Sequence, residues 1–354
     1  MRSNLAQLLI RPRRGLVAHN GAAGTTVIRS FGSHAVNLLQ LNRPPPTGTM
    51  TKVVCTIGPA TDSANNVHEL VKEGMHVARL NFSHAGTDYS YPEECLALVR
   101  ETHGKHSHLS TDRKTKNLRS ILVDTKGPEI RTGPLEANQD VVEIGVGDEV
   151  ELTIHDVSGG QPVAGKHRIN VDYKSIAHSM SVGGHVLLDD GLLALEVTDI
   201  DPKQEYVSCV ALNGGPIKKN KGVNLPGVEL DLPALTEKDK ADLAWACKVG
   251  ADYVAASFIR TAANVRSVIA YLDRCICEMP TNEDGKVPLR PLVISKIESK
   301  EGVDNFEEIL RESDGIMVAR GDLGVEVRCT SCMDALHSRE RTRFRTAKSL
   351  PCKR

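Results

Sequence analysis

Pro291-Leu-Val-Ile-Ser-Lys-Ile-Glu298 begins as an apolar run and closes on charge. A run without polar alternation suits a parallel strand buried on both faces. Lys296 and Glu298 stand two residues apart, so on a strand they share a face. Working outward, the same pattern recurs at 51–58, 76–83, 120–126, 253–259 and 315–322. Several of these runs end in a burst of polar side chains: Arg79 and residues 81–84, Asp124-Thr125-Lys126, and Arg320 with Asp322. Helix candidates lie between them. Residues 65–73 stop before Gly74, and Thr236-Glu-Lys-Asp239 opens a helix with a capping-box-like pattern that ends before Gly250. Repeated βα units give an open doubly wound sheet or a closed barrel, and in a barrel the strand ends converge on one face.

One interval breaks the rhythm. Residues 132–230 carry short alternating runs at 141–150, 185–188, 192–197 and 206–212, split by turn signals such as Asp190-Gly191 and Asn213-Gly214. The pattern predicts a small all-β domain inserted after the third strand, with Pro134 and Gly227 as hinges. Gly160-Gln-Pro-Val-Ala-Gly165-Lys166 satisfies most of a P-loop. His167 replaces the Ser or Thr that would meet Mg²⁺, and the residues that follow alternate like a strand, so it reads as a chance match.

Glu298 and Asp322, ending consecutive strands, are candidates to hold one Mg²⁺ whose octahedron water or substrate completes. A carboxylate pair beside Lys and Arg suits phosphoryl transfer. For any one of these residues a capped or salt-bridged loop position is the plainer reading. Together they point to a site.

Thr51-Lys-Val-Val-Cys-Thr-Ile-Gly-Pro-Ala60, Val77-Ala-Arg-Leu-Asn-Phe-Ser-His84 and Asp124-Thr-Lys-Gly-Pro-Glu-Ile-Arg-Thr-Gly133 closely resemble the pyruvate kinase family. So do Lys221-Gly-Val-Asn-Leu-Pro-Gly227, Ser295-Lys-Ile-Glu298 and Asp314-Gly-Ile-Met-Val-Ala-Arg-Gly-Asp-Leu-Gly324, in the family's order over residues 51–326. The resemblance implies an α/β fold, a (β/α)8 TIM-type barrel, here carrying about six of its strands. It also implies transfer of the phosphoryl group of phosphoenolpyruvate to ADP, giving pyruvate and ATP with Mg²⁺ and K⁺. By the same resemblance Lys296 and Arg79 are catalytic. Lys296, Gly321 and Asp322 bind substrate. Arg79, His84, Arg131 and Lys221 contact nucleotide or phosphate. Glu298 and Asp322 hold Mg²⁺, while Asn81, Ser83, Asp124 and Thr125 form the K⁺ site. Lys218, near Lys221, reads as solvated.

The family pattern ends near Glu326, and no counterpart of the seventh-strand threonine follows. The expected organisation is a basic leader at 1–49, barrel at 50–131, β domain at 132–230, barrel at 231–326 and a divergent tail at 327–354. Two readings stay open: a pyruvate kinase, or a non-catalytic relative that binds metal or nucleotide weakly or associates with full-length subunits. Little or no turnover is expected of the 354-residue chain. The family's homotetramer relies in part on regions that the resemblance does not reach.

Charge supports this partition. The formal net charge of −1 divides into +7 over residues 1–61, −14 over 62–326 and +6 over 327–354. No run of 18 apolar residues occurs, so a membrane-spanning helix is not expected, nor is a nucleic-acid partner. Nine cysteines, an odd number and mostly within apolar segments, suit reduced thiols. Cys329-Thr-Ser-Cys332 is a lone CxxC, either a chance pair or a weak zinc motif. An acid-free, Arg-rich leader suits a transit peptide; a start at Met50 is the alternative. The protein is expected in the cytoplasm, or in a mitochondrion or plastid if residues 1–49 are an address. A reporter fused to residues 1–50 should then enter an organelle, and a diffuse cytosolic signal would reject that reading.

Overall fold

The computed structural model describes residues 51–83, 85–102, 119–161, 164–203, 205–281 and 287–327. It also gives the backbone of three short strands, β1 (Leu8–Ile10), β2 (Val27–Arg29) and β3 (Ala35–Asn37). The rest of the leader, the Cys329/Cys332 pair, His84 and the tail from residue 328 lie outside the described residues. From residue 51 the chain runs through β4 (Val53–Ile57), α1 (Ala64–Lys72), β5 (Met75–Asn81), α2 (Ser90–Glu101) and β6 (Ser120–Asp124). Next come β7 (Thr132–Leu135), β8 (Val141–Ile144), β9 (Glu149–Thr153), β10 (Lys166–Val171), α3 (Ile176–Ser179), β11 (His185–Leu188), β12 (Leu193–Asp201), β13 (Tyr206–Ala211), β14 (Gly215–Lys218) and β15 (Val223–Asn224). The chain returns through α4 (Glu237–Lys248), β16 (Tyr253–Ala256), α5 (Ala262–Cys277), β17 (Leu292–Ile297), α6 (Lys300–Asp304), α7 (Phe306–Glu312), β18 (Gly315–Val318) and α8 (Arg320–Glu326).

Six strands pair in parallel in the order β4-β5-β6-β16-β17-β18, and β1 lies antiparallel along the outer edge of β18. The spatial order follows the chain order. A doubly wound sheet would reverse somewhere, so this is a singly wound barrel wall. Alternation along each strand sorts the core. Ala78, Leu80, Ile121, Val123, Val254, Val293 and Ile316 pack toward the helices. Val77, Leu122, Tyr253, Ala255, Ile294 and Met317 form a separate inner cluster contributed by five strands.

Local chemistry fixes the helices. Ser63 Oγ accepts the Asn66 N–H to cap α1, and Gly74 takes φ +104° after its C-cap. Thr236 and Asp239 close the expected capping box on α4, and Thr261 with Asn264 closes another on α5.

The residues between β6 and β16 build a second sheet, β15-β11-β12-β13-β9-β10-β7, antiparallel except at β9–β10, with β8 and β14 as a separate pair. Its apolar positions form their own core around Leu152, Leu188 and Leu195. Pro134 is not a hinge. It sits inside β7, an edge strand, where its missing N–H does not interrupt a ladder. The run at 141–150 is two strands, because Gly147 takes φ +84° and Asp148 accepts the Gly145 N–H at 2.7 Å. Lys166 of the P-loop-like stretch opens a strand, β10, rather than a helix, and pairs with Glu149 at 2.7 Å.

All six barrel strands are shorter than the runs that predict them, and two end in a change of backbone. The run at 253–259 stops at Ala256, because Phe258 turns to φ +53°. The run at 315–322 stops at Val318, after which Leu323 N–H bonds to Ala319 O and α8 begins. Residues 320–322 are therefore helical. The thiols of Cys55, Cys95, Cys209, Cys247, Cys275 and Cys277 are free, as reduced cysteines would be.

Phe82, fully buried beyond β5, packs 5.2 Å from Trp245 and 5.9 Å from Tyr89 between ring centroids. Phe82→Ala should lower stability by about 3–5 kcal/mol, read as a fall in the urea midpoint at unchanged slope.

Candidate active site

The inner face of the barrel wall changes character along each strand. Ile294 leads to Lys296 and Glu298, Leu122 to Asp124, Val77 to Arg79 and Asn81, and Ala255 to Ser257. The period of two that buries the first residues delivers the last ones to a common mouth. The registers Asn81↔Asp124, Ala255↔Asp124 and Lys296↔Met317 bring these ends level.

Lys296 is the centre. Its side chain is only 11% exposed, and its Nζ lies 3.0 Å from Glu298 Oε1 and 3.1 Å from Asp124 Oδ1. It donates to Ser257 Oγ at 2.8 Å. Burial disfavours its charge, but the Glu298 and Asp124 carboxylates outweigh that and raise its pKa. Asp124, fully buried, also takes Arg79 Nε at 2.6 Å, and Arg79 Nη1 donates to Thr56 Oγ1 at 2.8 Å. Burial pushes the Glu298 carboxyl up to about 7; Lys296 opposes the shift and Asp322 adds to it. The Phe258 N–H donates to Glu298 Oε2, which explains an aromatic residue in left-handed backbone.

The opposite wall of the cleft comes from the segments that join the two sheets. Arg131 and Gly222 form an isolated bridge, and Thr132 N–H donates to Lys221 O at 2.8 Å, so Arg131 and Lys221 arrive together. Each cation is already paired. Arg131 Nη2 lies 2.6 Å from Glu129 Oε2, and Lys221 Nζ lies 2.9 Å from Asp189 Oδ1. The cleft, open to solvent on one side, measures about 400 Å³ and is lined by Ser83, Arg131, Lys221, Lys296, Glu298 and Asp322 among others. That is room for a small phosphorylated molecule. Gly321 lies in the first turn of α8, one residue before Asp322. Lys218 is exposed, as expected.

The chain matches the family model "Pyruvate kinase, barrel domain" over residues 49–337, which runs past Glu326. The chain belongs to the pyruvate kinase family. It is 42% identical over 289 residues to a pyruvate kinase of Dictyostelium discoideum, covering 82% of this chain and 52% of that protein. It is 41% identical over 277 residues to the pyruvate kinase of Geobacillus stearothermophilus, covering 78% and 42%. A crystal structure of a pyruvate kinase from Cryptosporidium parvum superposes with a TM-score of 0.69 at 34% identity, covering 82% of this chain and 55% of that one. The chain thus spans about half the length of the curated relatives it matches.

The two family ions fit unequally. Apart from its ion pair with Lys296 Nζ at 3.0 Å, the buried Glu298 Oε1 accepts no hydrogen bond, and the Asp322 carboxylate is near enough to raise the Glu298 pKa. Two hard carboxylates suit Mg²⁺. Among the described residues no three His, Cys, Asp or Glu side chains gather around a metal, so the remaining positions would fall to water and substrate. The K⁺ residues are neighbours but largely committed. Asn81 Oδ1 accepts the Ser83 N–H, Asp124 serves Arg79 and Lys296, and Thr125 Oγ1 accepts the Ser257 N–H. Ser257, Phe258 and Asp189 were missed in the sequence, although the alternation through Ala255 points to Ser257.

Folding raises the Glu298 pKa from an ordinary 4.5 to about 7. Between those values the folded protein holds more protons than the unfolded chain. The contribution of Glu298 to stability is therefore fullest below pH 4.5 and is lost as pH rises through about 7. Glu298→Gln should flatten that part of the curve, with its stability relative to wild type improving as pH rises. A series of urea midpoints against pH checks this.

Proposed function

We propose that this chain carries the phosphoryl-transfer site of a pyruvate kinase, moving phosphate between phosphoenolpyruvate and ADP. The observation that carries the reading is the buried Lys296 ammonium, held by Asp124 and Glu298 at the strand ends and facing Arg131 and Lys221. An ADP β-phosphate oxygen attacks phosphorus, the bond to the enol oxygen breaks, and the enolate takes a proton to become pyruvate. Lys296 lies where it can neutralise both the moving phosphoryl group and the oxygen it leaves. Arg79, clamped by Asp124, is placed to add a second positive charge. Arg131 and Lys221 would exchange Glu129 and Asp189 for nucleotide phosphates, with His84 as a further candidate contact. The backbone at Gly321 is the candidate for the substrate carboxylate. Glu298 and Asp322 would hold Mg²⁺, which when bound draws charge from the phosphoryl oxygens.

Residues 132–230 act in this reading as an inserted β domain that closes over the cleft and excludes water. A K⁺ requirement, a homotetramer, and residence in the cytoplasm or in an organelle addressed by residues 1–49 belong to the same proposal. A second reading is a non-catalytic metal or nucleotide binder, in which Arg131 and Lys221 stay with Glu129 and Asp189.

Mn²⁺ titration of the purified chain, followed by electron paramagnetic resonance, tests the site. Glu298→Gln and Asp322→Asn should each weaken binding by about 10–100-fold. Unchanged affinity in both would overturn the metal assignment. Pyruvate formed from phosphoenolpyruvate and ADP, and lost in Lys296→Met, supports catalysis; Mn²⁺ binding without pyruvate supports the second reading.

A further inference from the structure

Between β15 and α4 the chain crosses back from the second sheet to the barrel wall as residues 225–236, without helix or strand. Backbone carbonyls in such a segment still need donors. Through Leu232 its side chains belong to the second sheet: Leu225 is buried in that core, and Val228, Leu230 and Leu232 pack against it, whereas Leu235 packs on the barrel core. Asp231 N–H donates to Tyr173 Oη at 3.1 Å, again on that side. The carbonyls face the other way. Arg260 Nη1 donates to Leu230 O and Nη2 to Leu232 O.

Arg260 is itself held firmly. It is 6% exposed, its N–H donates to Asn264 Oδ1 at 3.1 Å, and its carbonyl accepts from Asn305 Nδ2 at 3.0 Å. Its Nε is buried without a partner. Desolvation of the guanidinium is offset by the two carbonyls and by the nearby Glu301 carboxylate, whose burial-driven rise in pKa Arg260 opposes. A planar fork can reach two carbonyls spaced one residue apart, whereas an ammonium is a single point. Three residues upstream, Ser257 Oγ accepts from Lys296, and Phe258 N–H donates to Glu298. One four-residue segment thus touches the return segment at one end and the Lys296–Glu298 pair at the other.

We infer that Arg260 is a positioning residue: it clasps the return segment to the loop that orients Lys296 and Glu298, coupling the placement of the second sheet to the site. Its consequence for catalysis rests on the phosphoryl-transfer reading, but the clasp does not.

Hydrogen–deuterium exchange on the whole chain, wild type against Arg260→Lys and Arg260→Met, tests it. Exchange across 226–235 should rise about tenfold in both variants, as loss of charge-assisted bonds implies. The strands of both sheets should stay within about twofold of wild type. Mn²⁺ affinity should fall several-fold beside the exchange effect, because Glu298 loses its fixed partner segment. The inference is overturned by unchanged exchange at 226–235, by an equal rise across all strands, by wild-type behaviour of Arg260→Lys, or by failure of both variants to fold. Should wild type bind no Mn²⁺, the metal reading fails while the exchange result still decides the clasp.

Discussion

A lysine ammonium cannot be left alone in a barrel mouth. With its side chain 11% exposed, Lys296 keeps its charge only because Asp124 and Glu298 stand within 3.1 Å. That requirement ties two strands, β6 and β17, together at their carboxyl ends. Asp124 is then drawn into a second pairing with Arg79, and Glu298 into accepting the Phe258 N–H. The backbone at Phe258 takes a conformation costly for an aromatic residue, of order 1–3 kcal/mol, and that turn ends β16. Much of the local geometry at the mouth follows from placing one cation there.

The cleft has a second population of charges under looser terms. Glu129 with Arg131 and Asp189 with Lys221 are ion pairs whose members are a fifth to a third exposed. Pairs of that kind contribute little to stability and exchange partners readily. The barrel side is fixed by burial, while the cations of the connecting segments are held by partly solvated partners.

The apolar runs made the barrel wall legible, because parallel strands covered on both faces need no polar alternation. Thr236 and Gly74 marked helix ends for stereochemical reasons that the structure repeats. The shared face of Lys296 and Glu298 followed from the strand period alone. Where reading failed, a tertiary contact had overruled a local pattern. Ile316 through Asp322 looks like one apolar strand until Ala319 turns the backbone into α8. Phe258 continues an apolar run in the sequence but serves Glu298 with its backbone, which no side-chain pattern reveals. Pro134 looked like a hinge because proline often punctuates, yet at a sheet edge it is tolerated. The K⁺ candidates stand on neighbouring strand ends, but which partners their oxygens hold depends on packing between strands far apart in sequence.

Trp245 is the only tryptophan in the chain. It stacks on Tyr89 with centroids 5.7 Å apart and lies 5.2 Å from Phe82, whose backbone joins Asn81 to Ser83. Its indole N–H donates to Glu93 Oε1. The protein therefore has a single indole fluorophore, seated behind one corner of the cleft on the helix that follows the second sheet. Emission from the unlabelled chain is an optical gauge of that corner, separable from the movements of everything above it.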